Sequence, residues 1–372
     1  MAARQMSRRD FIKSAGAVTA TATLAGSLST SPLAQAAPAV TSKKSDLVSE
    51  VAADIKGGKP TMVRTFGVHA GQQNCPLDEL RRLWRYVDQA GFDWLSVWDH
   101  FYEAPFIDGN GSCFETVSAL TLLAVDTRTV RVGCLVFCIG YRHPAVLAKA
   151  LATIDHVSNG RLEVGLGAGW YELEHHEYGL PFPAMGVRHD QLDEAVQIVR
   201  GLLTQSSTTF TGKYFRVQNA RCNPKPLQAR LPLWIGGAGE KRTLRTAARY
   251  ADGWNIPYVS PAVFRAKNQV LNQWCEKEGR DPATLRRTVN VGFYLKTDAT
   301  AAEAERQRFL TQWGPQAEKL EGGMLFGTPK QAVERVGEYF DAGASRVTIA
   351  LRAPFEWEAL QGYTEDVLPA FR

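Results

Sequence analysis

Cysteine is scarce in this chain, with six in 372 residues and none in a Cys-x-x-Cys pair. That is too few for a disulfide scaffold. Cys134 and Cys138 sit four apart in what reads as one strand, which at about 3.3 Å per residue separates them by roughly 13 Å, beyond disulfide reach. Pairing among Cys75, Cys113, Cys222 and Cys275 stays open. No His-Glu-x-x-His or comparable ligand spacing occurs, so no metal is expected, and His175-His176 reads as a solvated loop pair. A dominant charge of one sign is also missing: 43 Lys and Arg stand against 38 Asp and Glu, a formal +5. The first 36 residues hold four of those cations and one acid, so removing their +3 leaves +2, and nucleic-acid binding by charge is excluded. The apolar run from Ala15 to Leu28 is shorter than the ~20 residues needed to span a bilayer and is diluted by Thr and Ser, so no stable membrane anchor is expected.

What is present begins at the N-terminus. Ser7-Arg8-Arg9-Asp10-Phe11-Ile12-Lys13 precedes that mildly apolar run, and Pro32 and Ala34-Gln35-Ala36 follow it. Two arginines, an apolar core and a small-x-small site make residues 1–36 a twin-arginine export signal, cut after Ala36. The translocase of that pathway is thus an expected partner, and the destination is periplasmic, cell-envelope or extracellular. No Cys follows the signal to carry a lipid. Residues 37–61 read as a polar linker. The remainder, with 45% apolar and 22% charged residues in the whole chain, can bury one barrel-sized core or two smaller ones.

From residue 62 strands and helices alternate. Strands are expected at Met62–His69, Trp94–Trp98, Val130–Cys138, Arg161–Ala168, Leu231–Ile235, Gly253–Pro257, Thr288–Lys296 and Ser345–Leu351. Helices are expected between them. Pro76–Ala90 carries Leu77, Leu80, Leu83, Trp84 and Val87 on one stripe. Pro144 opens Ala145–Val157, Asn159-Gly160 closes it, and Thr328-Pro329-Lys330-Gln331 is a capping box. Eight strands with intervening helices point to an α/β fold, a single-domain (β/α)8 TIM barrel over residues 62–372. A long insertion rich in Trp, Tyr, His and Pro follows strand 4, from Gly169 to Val187. Loops of that length are functional or disordered, and this one has too many aromatics for disorder.

Ligand sites in such folds lie at the carboxyl ends of the strands. There the second strand runs into Trp98-Asp99-His100-Phe101. A lone His is more often a structural hydrogen-bonder, and the strand-end position is what makes His100 a catalytic candidate. Gly165-Leu166-Gly167-Ala168-Gly169 is no dinucleotide fingerprint, because no helix opens after it; close backbone approach to a flat ligand explains it better. Gly236-Gly237-Ala238-Gly239-Glu240 follows a strand and leads into a helix beginning with Lys241 and Arg242. It suits an anionic group such as phosphate, or is a plain tight turn with a solvated basic face. Aromatics gathered near the strand ends suggest a pocket for a planar ring and an apolar substrate.

The motifs Trp98-Asp99-His100-Phe101, Tyr141-Arg142-His143-Pro144-Ala145, Gly160-Arg161-Leu162 with Gly165 to Trp170, and Ala251-Asp252-Gly253-Trp254-Asn255 occur in an order and at a spacing that resemble the luciferase-like superfamily. The likeness covers roughly residues 62 to 351 and is greatest to the branch that uses the deazaflavin coenzyme F420. It implies a cofactor lying across the strand ends, with His100 acting at the reacting carbon and Asp99 beside the cofactor. Leu135 and Val136 would form a strand bulge pressed against the ring, often through a cis peptide. Ala168 and Gly169 would match the turn after strand 4, and Gly236, Gly237, Ala238 and Gly239 the phosphate-binding turn. Phe101, Ala104, Trp170 and Tyr171 fall on the substrate side. Two of these depart from the sugar-phosphate dehydrogenases of that branch, which have Trp where Ala104 stands and Glu where Trp170 stands. The departures argue against a sugar phosphate and for a less polar substrate.

The resemblance therefore implies an exported oxidoreductase that moves a hydride between bound F420 and a small apolar alcohol or carbonyl compound. His100 would serve as general acid or base, and Asp99 would hold or polarise the imidazole or the ring edge. An FMN-dependent monooxygenase in the same fold is the first alternative. An exported ligand-binding barrel without catalysis is the second, and a homodimer is left open.

Overall fold

The structure is a computed structural model that describes residues 63–104 and 109–372. The expected signal and linker, 1–36 and 37–61, lie outside the described residues. The elements in chain order are β1 (Thr65–Ala70), α1 (Leu77–Gln89), β2 (Trp94–Val97), α2 (Thr116–Asp126), β3 (Arg131–Cys138), α3 (Pro144–Val157), β4 (Leu162–Gly167), α4 (Glu172–Glu177), α5 (Met185–Thr204), β5 (Thr208–Thr211) and β6 (Arg216–Ala220). They continue with β7 (Leu233–Gly236), α6 (Thr243–Tyr250), β8 (Gly253–Pro257), α7 (Pro261–Lys277), β9 (Arg286–Leu295), α8 (Ala299–Trp313), β10 (Met324–Gly327), α9 (Pro329–Asp341), β11 (Arg346–Leu351) and α10 (Trp357–Gly362).

Parallel pairing runs β11-β1-β2-β3-β4-β7-β8-β9, and β9 returns to β11, so eight strands close a barrel. All eight coincide with the strands expected from the sequence, within a few residues at their ends. The strand interiors are near-continuous apolar runs because both faces are covered, by the barrel core within and the helices outside. Leu80, Leu83, Trp84 and Val87 of α1 are all fully buried, which is the stripe its periodicity indicates. Leu77, expected on the same stripe, is exposed at the first turn.

Among the elements not foreseen, three lie within the barrel's connections. The antiparallel hairpin β5–β6 lengthens the insertion after strand 4, and the Glu194 carboxylate accepts the backbone N–H groups of Lys213, Tyr214 and Phe215 at its turn. Strand β10 adds to β9 outside the barrel ring. Helix α4 lies within the long aromatic excursion. All three are short, and β5, β6 and β10 lack the length that gives a periodic signal.

The amino end of the barrel is closed by a charged plug. Glu163 of β4 is fully buried, with Arg131 Nε at 2.6 Å, Trp234 Nε1 at 2.8 Å and Arg346 Nη1 at 3.3 Å from its oxygens. The Arg346 guanidinium also stacks over Trp94 and Trp234, 4.8 and 5.2 Å from the ring centroids. Burial alone would raise the Glu163 pKa, but Arg346, Arg286 and Arg131 outweigh it and hold the carboxyl well below its ordinary range. Contributions to this end of a barrel serve stability, which leaves the opposite end for chemistry.

Candidate active site at the barrel mouth

His100 lies just past β2, and its imidazole is held by a residue that sequence reasoning overlooked. Glu174 of α4, fully buried, receives His100 Nδ1 on one oxygen at 2.9 Å. Its other oxygen accepts the backbone N–H groups of Phe101 at 2.6 Å and Tyr102 at 2.8 Å, and Tyr141 adds its hydroxyl to the first. Burial pushes the Glu174 pKa up, yet the hydrogen bond and charge of His100, with Tyr141 and the backbone amides, bring it below the usual value. An ionised carboxylate can only accept, so Nδ1 carries the proton and Nε2 is the ring's acceptor nitrogen.

Asp99 does not hold the imidazole, contrary to one of the two roles expected for it. Its carboxylate takes Arg142 in a two-pronged ion pair at 2.6 and 2.9 Å and accepts the Cys138 N–H at 2.9 Å. It thereby locks the ends of β2 and β3 together. His175 also corrects an expectation. Far from being solvated, it is buried on α4, with its ring 4.8 Å from those of both Tyr141 and Phe182. All six cysteines are free.

Around His100 the aromatic residues divide. Trp170 and Tyr171 stack on each other at 5.0 Å and approach the imidazole at 5.4 and 5.8 Å, and Trp170 remains 58% exposed, giving an apolar flank open to a ligand. Phe101 packs instead between Tyr178 and Tyr141, at 4.3 and 4.6 Å. Ala104 is buried, and its backbone N–H and carbonyl are both engaged by the Gln73 amide.

On the far side of the mouth, β3 shifts register between Cys134 and Phe137, and the Leu135–Val136 peptide is cis. Val136 presses into a cradle of three glycines: a Cβ at Gly165, Gly167 or Gly236 would meet Val136 atoms at 2.9, 2.5 and 2.7 Å. The glycines of β4 thus admit a neighbouring side chain, whereas close approach of a ligand had been the expected reason. Ala168 and Gly169 follow at the end of β4, where the Gly169 carbonyl receives Arg188.

The second glycine turn, Gly236 to Gly239, caps β7. Gly237 takes φ +127° and hydrogen-bonds Asn255, and a Cβ on Gly239 would meet Thr243 Oγ1 at 2.8 Å. Helix α6 starts only at Thr243, so Lys241 and Arg242 belong to the turn and do not begin the helix. Arg242 pairs with Asp190 of α5, next to His189, whose buried Nδ1 has no partner among the described residues and whose pKa is lowered by burial and by Arg242. A glycine-rich turn, a nearby cation and an unpartnered ring nitrogen together fit an anionic group.

Two further residues at the mouth escaped sequence reasoning. His69 is the penultimate residue of β1, is buried, and meets Ser96 Oγ through Nδ1 at 2.8 Å. Burial first, then Arg352 and His100, lower its pKa to about 3, so it is neutral at physiological pH. Arg352 directly follows β11. Both could have been found by the rule that singled out His100, a polar side chain at the carboxyl end of a strand. Glu174 could not, because 74 residues separate it from His100.

With this geometry established, comparisons with known proteins agree with the fold. Residues 61–346 match the luciferase-like monooxygenase model, so the chain belongs to that family. Residues 5–25 match the twin-arginine translocation signal. An F420-dependent glucose-6-phosphate dehydrogenase of Microbacterium testaceum is 26% identical over 84% of this chain and 98% of its own length. An F420-dependent hydroxymycolic acid dehydrogenase of Mycobacterium tuberculosis is 29% identical over 65% of this chain and 66% of its own. Among solved structures, an F420-dependent secondary alcohol dehydrogenase superposes with a TM-score of 0.74 at 21% identity, covering 84% of this chain and all of the other. The monooxygenase RslO1 of Streptomyces bottropensis gives 0.69 at 20%, over 83% of this chain and all of the other.

Proposed function

We propose that this protein is an exported, F420-dependent oxidoreductase acting on a small, largely apolar alcohol or carbonyl compound. The observation that carries the proposal is the Glu174–His100 pair, whose imidazole is engaged through Nδ1 and lies beside the rings of Trp170 and Tyr171. Bound across the strand ends, the deazaflavin would supply a ring carbon able to take up or give hydride. Val136 on the β3 bulge would bear on its ring, and the Gly236–Gly239 turn with Arg242 and His189 would seat its phosphate.

The chain's own part is proton handling and positioning. For an alcohol, Nε2 of His100 takes the hydroxyl proton, and Glu174 stabilises the imidazolium that results. For a carbonyl, the same imidazolium returns the proton to the developing oxygen. A group placed in this way typically contributes 10² to 10⁴-fold. Trp170 and Tyr171 cover the apolar body of the substrate and exclude water from that flank. Asp99 and Arg142 keep the β2 and β3 ends in register.

FMN is the alternative occupant, favoured by the fold shared with RslO1, and the glycine turn serves either phosphate. The absorption spectrum of the protein purified from a host that makes both cofactors separates them: a deazaflavin spectrum is expected, and a flavin spectrum would transfer the reading to monooxygenation. With F420 bound, His100→Ala is expected to lose about 10² to 10⁴-fold in kcat with secondary alcohols while still binding cofactor. Unchanged turnover would remove His100 from the mechanism. Export in the folded state, after cutting behind Ala36, allows a cofactor loaded in the cytoplasm to travel inside the barrel. Recovery of the protein from the cytoplasm alone, with its N-terminus uncut, would contradict that part.

A further inference from the structure

We propose that Arg352 binds an anionic oxygen of the substrate, so that the site takes carboxylic acids bearing the reacting alcohol or carbonyl group on an apolar body. This rests on the hydride-transfer reading above and narrows its substrate class. Elsewhere at the mouth Arg142 pairs with Asp99 and Arg242 with Asp190, and Arg188 is engaged by the Gly169 carbonyl and the Phe182 ring. Arg352 makes no ion pair with any described residue. Its contacts are the Tyr258 hydroxyl at 3.3 Å and the rings of Trp98 and Tyr258, each 5.8 Å from the guanidinium carbon. Its Nε is buried with no acceptor among the described residues.

A partly buried guanidinium without a counter-ion leaves charge and donors unsatisfied, and a carboxylate offers two acceptors in the matching planar geometry. Trp98 links this cation to the chemistry. The same indole has the His69 ring at 5.3 Å and the His100 ring at 6.3 Å, so the three basic side chains surround one aromatic wall. His69 contributes no competing charge, because it is neutral.

The anion at Arg352 is distinct from the cofactor's phosphate. Arg352 follows β11 and the glycine turn follows β7, three steps apart around a ring of eight strands. A substrate held at Arg352 by its acid group would pass Trp98 to reach His100 and rest its apolar part on Trp170 and Tyr171.

The test is equilibrium binding to the purified mature protein, by calorimetry at neutral pH, of hexanoate and of methyl hexanoate, which has the same chain without the charge. Wild type is expected to bind hexanoate at least about tenfold more tightly than the ester, as a charge-assisted pair requires. Arg352→Gln should abolish the preference, and Arg352→Lys, which keeps the charge but not the planar fork, should reduce it several-fold. Equal affinity for acid and ester in wild type, or a preference that survives in R352Q, overturns the proposal. If R352Q does not fold, R352K decides, and an unaltered hexanoate affinity there overturns it. F420 binding, followed by fluorescence, is expected to be the same in wild type and R352Q; a parallel loss would assign Arg352 to the cofactor and defeat the proposal. Should wild type bind no F420 while the hexanoate preference depends on Arg352, the hydride reading falls and the anion site stands.

Discussion

At the scale of single residues, the site turns on one carboxylate that organises its surroundings. Glu174 fixes the His100 tautomer and the backbone amides of the two residues after it, so its removal should disturb orientation more than substrate binding. Glu174→Gln is expected to lower kcat about 10 to 100-fold, in line with the loss of a partner that orients a functional His, with KM changed by less than about twofold. Steady-state kinetics on the F420-loaded enzyme measure this directly. A rise in KM with kcat intact would mean that Glu174 serves binding and not the imidazole. His100 itself was legible in the sequence because it lies just past the end of a strand. The acid that holds it was not, since a hydrogen bond across 74 residues has no local signature. Asp99, adjacent in sequence, was the natural candidate, but adjacent side chains at a strand end point to different sides. It is Arg142 and the Cys138 amide that Asp99 meets.

At the scale of elements, the mouth is shaped by the contact of bulged β3 with β4 and β7. Gly165 leaves no room for a side chain: a Cβ there would stand 2.4 Å from the Cys134 carbonyl oxygen as well as 2.9 Å from Val136. Backbone cannot yield as a flexible side chain can. Gly165→Ala should therefore cost about 1 to 3 kcal/mol of stability, read as a lower urea midpoint with an unchanged m-value. An unaltered midpoint would show that β3 and β4 part easily. The sequence displayed these glycines and suggested that something approaches them closely. Only the packed strands identify that something as Val136. Similarly, α4 lay inside a stretch read as loop, because six residues carry too little periodicity to announce a helix.

At the scale of the whole molecule, the two ends of the barrel use charge differently. The amino end buries Glu163 among arginines as a fixed plug, whereas the carboxyl end leaves Arg352 without a counter-ion among the described residues. Because the Glu163 pKa is depressed in the folded state, its contribution to stability is fully present above the unfolded carboxyl value of about 4.3 and is lost as pH falls toward the folded value. Wild-type melting temperature should thus fall as pH drops below about 4.3. Glu163→Gln leaves the arginines uncompensated and should cost about 3 to 5 kcal/mol at neutral pH, with a correspondingly flatter melting profile in the acid range. Thermal melts of both proteins from pH 7 to pH 3 provide the check, and parallel profiles would mean that the acid sensitivity arises elsewhere.

The sequence by itself determined the alternation of strands and helices, and with it the eight-stranded barrel, because apolar runs, caps and glycine punctuation are local properties that survive without a fold. It also determined the strand-end position of His100, the two glycine turns and the export signal at the N-terminus. Tertiary structure alone decided which groups converge. Closing the sheet brings the ends of β1, β2 and β11 around one indole and sets α4 over His100. The partners it selects there, Glu174 for His100 and Arg142 for Asp99, depend on distances across the barrel that no spacing along the chain encodes.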